Sequence, residues 1–261
     1  MHYSVPQIDD LHENLRKVLQ DMQDLILKTV IEEQALDPAS PVRGYLGHGA
    51  ARRLRTIRRA VQRVFELFPL NQVRPLEADA LSDVQTNLHA FVMNLYGLYD
   101  NWAWAFVLRH DLLSKIGDHR RVGLFRQATQ KHLPEELRLY IKSDVLKRWH
   151  DEYAKPFRDA LAHRIPPYVP PSEFTEEEGR RYNELEAEKF ECIKNMQWGR
   201  FDELSAEQAA LGRPSFVFLH AFVEEGAPRR ILLHPQLLAD GMAAVEFGRL
   251  FLQYWRTVPL A

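Results

Sequence analysis

The segment KPFRDALAHRIPPYVPP, residues Lys155 to Pro171, brings an arginine, an acidic residue and a histidine close together in the sequence. Arg158 is followed directly by Asp159, and His163 comes five positions after Arg158. A histidine titrates near neutral pH and can therefore transfer protons, while a guanidinium can hold a phosphate through two parallel hydrogen bonds. Residues of these types could form a catalytic pair, or they could be only the cationic end of a buried helix.

An arginine and a histidine at this spacing are a weak signal by themselves. A chain of this composition contains about three such pairs by chance. The five pairs in the sequence are Arg43/His48, Arg126/His132, Arg158/His163, Arg213/His220 and Arg229/His234. Only the Arg158 pair continues the apolar stripe of a predicted helix and has a polar residue directly after its arginine. We therefore take Arg158, Asp159 and His163 as the candidate catalytic residues.

Apolar residues recur at helical spacing over most of the chain, which predicts a mostly α fold. The predicted helices run at about Ile8 to Val30, 50–68, Glu77 to Lys115, 118–130, Pro134 to Arg164 with an interruption or kink at Pro156, a charged helix capped by Ser172 or Thr175, and Gln236 to Trp255. Two runs rich in β-branched and aromatic residues flank a turn with Gly226 and Pro228. They predict one short β-hairpin, residues 215–234.

We expect these elements to form a single helical domain over residues 1–261. Within it, residues 1–75 form an N-terminal helical extension, residues 76–171 form a core that carries the motif, and residues 172–261 supply the C-terminal helices and the hairpin. The chain is long enough for such a domain to bury a sizeable core.

Composition narrows the classes of protein that the chain can belong to. The net charge is −2, which argues against a protein that coats nucleic acid with its whole surface, but not against a local basic patch. Cys192 is the only cysteine, so neither an intrachain disulfide nor a cysteine-based zinc site can form. The apolar segment from Leu88 to Leu108 contains Asp100, which is costly in a bilayer. We therefore expect a cytoplasmic protein that does not enter a membrane.

The motif residues Arg158, Asp159 and His163 resemble the diagnostic element of the HEPN superfamily. In these all-α domains an arginine is followed, four to six residues later, by a histidine, and a polar residue commonly comes directly after the arginine. The run FRDALAHRIPPYVPP also looks like the surroundings of this motif in uncharacterised bacterial HEPN-like proteins. The resemblance covers residues Ser82 to Pro171 and implies an up-and-down helical bundle.

The resemblance also implies an activity, because catalytic HEPN proteins cut RNA without a metal, generally across a dimer interface. His163 would then act as the acid or base, and Arg158 would hold the phosphate. No cofactor is expected. A toxin or phage-defence role, with a cognate antitoxin or another protein as partner, would fit such an enzyme. The residues expected to support the site are Asp100, Asn101 and Arg164.

The angular separation of Arg158 and His163 also favours a dimer. Five positions on an α-helix turn the side chain by roughly 140°, so the two residues do not point at one spot from one helix. A composite site made by two facing copies would bring them together.

The second predicted helix is rich in arginine and could follow an RNA backbone, since a guanidinium makes bidentate contacts with phosphate. The arginines predicted to bind RNA are Arg52, Arg55, Arg58, Arg59 and Arg63. The competing interpretation is an ordinary solvated helix face whose charge is neutralised by acidic residues of the same chain.

Two further functions stay open. The first is a HEPN-like module without catalysis that binds a protein or a nucleotide. The second is a metal-dependent HD phosphohydrolase, suggested by the dipeptides His110-Asp111 and His150-Asp151, with His89 as a further ligand. In the first of these functions, Arg158 would only pair with an acidic neighbour, and His163 would cap the end of its helix.

Overall fold

The structure, a computed structural model, describes residues 3–220 and 229–257 and consists mostly of α-helices, as predicted. The helices are α1 (Val5–Gln34), α2 (Arg52–Leu67), α3 (Ala78–Arg109), α4 (Leu113–Ile116), α5 (Gln127–Gln130), α6 (Glu135–Lys142), α7 (Asp144–Trp149), α8 (Lys155–His163), α9 (Glu176–Lys194), α10 (Trp198–Ala209) and α11 (Leu233–Tyr254). Wider π-helical turns precede α2 and α8, at Gly44–Ala51 and His150–Ala154, and a 3-10 turn spans His119–Arg121.

Helix α3 lies at the centre of the main core because its middle turns are apolar on nearly every face. It contacts α2, α8 and α11. Trp102 of α3 is fully buried, and a Cβ on Gly248 of α11 would lie only 2.9 Å from its ring, so the glycine permits the close approach of the two helices. The same apolar cluster runs from Val18 in α1 to Trp255 after α11. The N-terminal helices and the last helix therefore share one core with residues 76–171.

Helices α9 and α10 pack on each other around a small cluster of their own. Its buried members are Leu185, Cys192 and Leu204. Thr175 begins α9 with a capping box: its hydroxyl accepts a hydrogen bond from the Glu178 backbone (3.2 Å), and its backbone donates to the Glu178 carboxylate (2.8 Å). Of the two predicted caps, Thr175 is therefore the one that starts the helix.

The predicted hairpin is present as β1 (Val217–His220) and β2 (Arg229–Leu232), which pair antiparallel from Val217 opposite Leu232 to His220 opposite Arg229. Its predicted turn residues, Gly226 and Pro228, lie outside the described residues. Tyr168 pairs with Leu219 of β1 through two backbone hydrogen bonds of 3.1 and 2.8 Å. The hairpin thereby holds the proline-rich segment that leaves α8.

The region between α3 and α8 is less regular than the periodicity predicts. Helix α3 ends at Arg109 rather than Lys115, and Asp111 takes a left-handed conformation with φ of 50° that stops it. The predicted helix over 118–130 is reduced to the 3-10 turn and the short α5. The helix predicted from Pro134 breaks at Ser143, whose hydroxyl accepts a hydrogen bond from Leu146 and starts α7.

The predicted irregularity near Pro156 is present as the π-helical turn His150–Ala154. Pro156 is the second residue of α8 and has no N–H for a helical hydrogen bond, so the wider turn before it accommodates the lost donor. In the part of the chain that the structure describes, no helix combines the length and apolar character that crossing a bilayer requires.

Candidate functional site

Arg158 of α8 faces a cavity of about 240 Å³ that lies beside α3, which we call the Arg158 pocket. Charged and histidine side chains from several elements line it: Asp100, His119, Arg120, Arg126, His150, Lys155 and Arg158. Helix α3 supplies Asp100, the loop after the 3-10 turn supplies Arg126, and the π-helical turn supplies His150. The pocket thus depends on the irregular segments that interrupt the predicted helices.

Contacts with Tyr96 and Asp159 fix the position of the Arg158 guanidinium. Its central carbon lies 4.4 Å from the centre of the Tyr96 ring, a cation–π geometry. One of its terminal nitrogens lies 3.1 Å from an Asp159 carboxylate oxygen, and Lys155 reaches the same carboxylate at 3.2 Å. The buried Nε of Arg158 has no hydrogen-bond partner among the described residues. The guanidinium of Arg158 is therefore held in a fixed position beside the pocket.

Of the two residues expected to support the site from α3, the structure places only Asp100 in the pocket. Burial raises the pKa of the Asp100 carboxyl, while the charges of Arg158, Arg53 and Arg126 act in the opposite direction. Asn101 instead accepts a hydrogen bond of 2.8 Å from Nε of Arg53, and so joins α2 to α3. Asn101 is absent from the lining of the Arg158 pocket.

His163 is exposed at the end of α8 and does not line the Arg158 pocket. Arg164, the residue that follows the helix, is also exposed. The single chain therefore keeps Asp159 beside Arg158 but does not bring His163 to the same cavity. This placement agrees with the wide angle that the five-residue spacing gives on a helix.

His150, which the sequence suggested only as a metal ligand of an HD phosphohydrolase, lines this pocket beside Arg158. Its ring stacks on Phe125 with 3.8 Å between ring centres and lies parallel to Tyr96 at 5.9 Å. Nδ1 lies 2.8 Å from an Asp151 carboxylate oxygen, and the buried Nε2 has no hydrogen-bond partner among the described residues. Burial lowers the pKa of His150 despite Asp151, which favours a neutral ring at pH 7. A neutral imidazole can accept a proton.

A second and larger cavity, of about 740 Å³, adjoins the Arg158 pocket and shares Phe125 and His150 with it. We call it the basic cleft, because five cationic side chains line it: Arg121, Lys131, Arg138, Lys142 and Lys147. Asp151 is the one carboxylate in its lining. The sequence gives no local signal for this cleft, since its cations are scattered over separate short elements.

The arginines of α2 are largely occupied within the chain. Arg53 donates to Asn101 and, at 3.2 Å, to Asn94, and Arg58 donates at 3.1 Å to the Leu19 backbone carbonyl. Of the other arginines predicted to bind RNA, Arg63 pairs with Glu66 at 2.7 Å, Arg59 lies 3.7 Å from Glu66, Arg52 contacts His48 at 3.0 Å, and Arg55 is exposed. Of the five arginines predicted to bind RNA, only Arg59 and Arg63 lie near an acidic side chain of the described residues, that of Glu66, so both interpretations of this helix stay open.

Two of the histidines named for an HD phosphohydrolase bond to separate backbone carbonyls. Nε2 of His89 bonds the Pro167 carbonyl at 2.7 Å, and Nε2 of His110 bonds the Trp255 carbonyl at 2.8 Å. Among residues 3–220 and 229–257, no three His, Cys, Asp or Glu side chains are grouped so that they could hold a metal ion.

The sequence matches no protein-family model. Comparisons with curated proteins and with solved structures also find no similar chain. The resemblance to HEPN domains therefore depends on the motif of Arg158, Asp159 and His163 and on its helical setting. Function is therefore inferred from the residues that line the two cavities.

Proposed function

We propose that the protein is a HEPN-like endoribonuclease that acts without a metal and as a dimer. The observation that carries this proposal is the position of Arg158, which is half-buried at the wall of a pocket with an unpartnered Nε. Arg120, Arg126 and Lys155 also line this pocket, so a phosphate bound by Arg158 would meet further cationic side chains. Such a clamp stabilises the charge that builds on the phosphate oxygens in the transition state.

The chemistry needs one proton acceptor and one proton donor. In RNA cleavage the ribose 2′-oxygen loses its proton to a base and forms a bond to phosphorus. The bond from phosphorus to the 5′-oxygen breaks, and an acid supplies a proton to that leaving oxygen. The products are a 2′,3′-cyclic phosphate and a free 5′-hydroxyl. Arg158 binds the phosphate and does not transfer the protons.

We assign one of the two proton transfers to the His163 of the second copy of the chain. Its exposure at the end of α8 leaves it accessible to a partner helix. His150, already in the pocket and favoured as a neutral ring, is the internal candidate for the proton acceptor. A site assembled in this way has Arg158 and His150 from one copy and His163 from the other.

The decisive experiment measures cleavage of a mixed RNA pool in EDTA by the wild-type chain, Arg158→Ala and His163→Ala. We expect each variant to lose about 10²–10⁴-fold in rate, the usual contribution of a positioned acid or base or of an oxyanion-stabilising group. His12→Ala, on the exposed surface of α1, is the matched control and should keep full activity.

Mixing the two inactive variants tests the composite site. A dimer of Arg158→Ala with His163→Ala contains one site with both residues intact if the residues come from different copies. Activity should therefore return in the mixture, in proportion to the mixed dimers. The proposal would be overturned if the mixed dimers recovered no activity. It would also be overturned if both single variants cleaved RNA as fast as the wild-type chain.

The second candidate function is a non-catalytic HEPN-like module that binds a phosphate-containing ligand in the Arg158 pocket. The observation that favours it is that His163 does not line this pocket within one chain. This function predicts a protein that binds RNA or a nucleotide with loss of affinity in Arg158→Ala, but cleaves no RNA even as a dimer. A toxin or defence role and an antitoxin partner belong to the enzymatic proposal alone.

A further inference from the structure

The basic cleft gathers its cations from four separate elements. Arg121 ends the 3-10 turn and Lys131 follows α5, while Arg138 and Lys142 lie one helical turn apart on α6, and Lys147 comes from α7. The apolar side chains of Ala128 and Ile141 also line the cavity and are nearly fully buried. The cleft is therefore a bowl with an apolar lining and positive charge around it, rather than a flat charged surface.

These cations have no counterions among the residues that the structure describes. None of the side chains of Arg121, Lys131, Arg138, Lys142 and Lys147 makes an ion pair or a hydrogen bond within residues 3–220 and 229–257. The single carboxylate of the lining, Asp151, is engaged by Nδ1 of His150 at 2.8 Å. Like charges that surround one cavity without compensation produce a positive potential that attracts anions.

A buried histidine lies at the wall of the cleft. The side chain of His150 is only 9% exposed, lines the cleft, and leaves Nε2 without a hydrogen-bond partner among the described residues. Buried polar atoms are normally satisfied, so His150 is a polar residue held at the cleft by packing and by Asp151 rather than by a full set of hydrogen bonds.

Size and charge together select the class of ligand. The volume of about 740 Å³ lies within the range of about 300–1,000 Å³ that is usual for small-molecule sites. Five cations and one carboxylate give the lining a net charge of +4. A triphosphate carries roughly −3.5 to −4 at neutral pH, since its terminal phosphate has a second pKa of about 6. A nucleic-acid strand spreads its charges along its length and brings few of them into one bowl.

We propose that the basic cleft is a binding site for a chain of three or more phosphates, as carried by a nucleoside triphosphate or by the 5′-triphosphate end of an RNA. The arginines make bidentate contacts with phosphate oxygens, and the lysines contribute compact positive charges. The cleft shares Phe125 and His150 with the Arg158 pocket, but its five cations lie outside that pocket. Phosphate binding by these cations therefore does not depend on whether the chain cleaves RNA.

Calorimetric titration of the whole chain with inorganic tripolyphosphate, pyrophosphate and orthophosphate tests the site directly. We expect tripolyphosphate to bind at least about tenfold more tightly than orthophosphate, because each added phosphate gains charge-assisted hydrogen bonds. The affinity should fall as salt is raised. Absence of tripolyphosphate binding, or equal affinity for all three anions, would overturn the proposal.

Competition distinguishes the two sources of the triphosphate. Adenosine and guanosine triphosphates form one arm, and two RNAs of one sequence, with 5′-triphosphate or 5′-hydroxyl ends, form the other. Displacement of tripolyphosphate by the free nucleotides assigns the cleft to nucleotides. Displacement only by the 5′-triphosphate RNA assigns it to RNA ends. Equal displacement by both RNAs, with none by the nucleotides, shows that internal phosphates suffice and contradicts the proposal.

Paired variants locate the binding to the cleft. Arg138→Gln with Lys142→Gln removes two lining charges, while Arg148→Gln with Lys115→Gln removes two exposed charges outside the lining. We expect the first pair to weaken tripolyphosphate binding at least about tenfold and the control pair to stay within about twofold of wild type. Equal losses in both pairs would mean general charge attraction and no cleft site. Thermal melts of both pairs confirm that each variant is folded.

Discussion

Helix α2 and the basic cleft are both rich in positive charge, but they carry it differently. Helix α2 has six arginines, from Arg52 to Arg63. Three of them use their guanidinium groups for contacts within the chain: Arg53, Arg58 and Arg63. The five cations of the cleft are spread from Arg121 to Lys147 and have no partners among the described residues. Charge density along the sequence therefore does not measure the charge that is available to a ligand.

The difference follows from what each region is packed against. Helix α2 packs on α3 along most of its length, so arginines at the edge of its apolar face reach polar groups on α3 and α1. The cleft is bordered by short elements that end after one or two turns. Their cations lie around an open cavity and meet no acidic helix face.

A buried histidine lies at each region, His150 at the cleft and His234 beside the end of α2. We expect His234 to give the largest effect of pH on the free energy of unfolding. Its Nε2 donates at 2.8 Å to the Phe68 carbonyl, directly after α2. Burial lowers the pKa of His234 from 6.5 to about 4, and His12 acts in the same direction. The unfolded chain then takes up this proton at higher pH than the folded chain. Stability contributed by neutral His234 is present above pH 6.5 and is lost towards pH 4, by about 3 kcal/mol.

Urea denaturation of wild type and His234→Gln between pH 7.5 and about 4.5 measures this effect. Glutamine keeps an N–H donor for the Phe68 carbonyl but takes up no proton. The variant should show a shallower fall in the free energy of unfolding over that range, whatever its stability at pH 7.5. His163→Gln, exposed at the end of α8 and not among the groups that act on His234, should follow the wild-type curve closely. Equal slopes for His234→Gln and wild type would contradict the assignment.

The same packing logic explains which features the sequence could predict. Helical periodicity predicts α1, α2, α3 and α11, because each buries a continuous apolar stripe that is visible in the sequence. It also places Arg158 on a helix beside the core. Helical periodicity does not predict where the chain leaves the helix through local conformation, as at the Ser143 cap and at the left-handed Asp111.

The candidate site is predictable only in part for the same reason. The motif leads to Arg158 and Asp159, and the polar character of α3 leads to Asp100. The partner of Asn101 is Arg53, far away in the sequence, and no local pattern indicates that contact. The cleft depends on how the chain turns between α4 and α8, so its cations can be grouped only once those turns are known.

Arg53→Ala should have the next largest effect on stability. Arg53 lies in an arginine-rich helix that resembles an RNA-binding surface, but its side chain makes structural contacts. The variant leaves the side-chain oxygens of Asn101 and Asn94 without their charged donor in a half-buried setting. We expect a loss of about 2 kcal/mol in the free energy of unfolding, measured in urea. Arg55→Ala, on the exposed side of the same helix, should cost less than about 0.5 kcal/mol. Similar costs for the two variants would remove the distinction between structural and free arginines on α2.

The smallest predicted effect is a change in the free energy of unfolding, and it has opposite signs in α2 and in the basic cleft. Arg63→Gln on α2 removes the ion pair with Glu66 and should lower the free energy of unfolding by about 0.3–0.5 kcal/mol. Arg138→Gln in the cleft removes the repulsion with Lys142, four positions later on α6, and should raise it by about 0.2–0.5 kcal/mol. Both changes should shrink in high salt, where exposed charges are screened.

Tripolyphosphate should reverse the sign in the cleft alone. A ligand that binds only the folded state stabilises it in proportion to its affinity, so the wild-type chain gains more than Arg138→Gln. Arg63→Gln should keep its deficit unchanged, because Arg63 is outside the cleft lining. Denaturation curves of the three proteins with and without tripolyphosphate measure this directly. If Arg138→Gln were destabilising without the anion, the cleft cations would be structural, as those of α2 are.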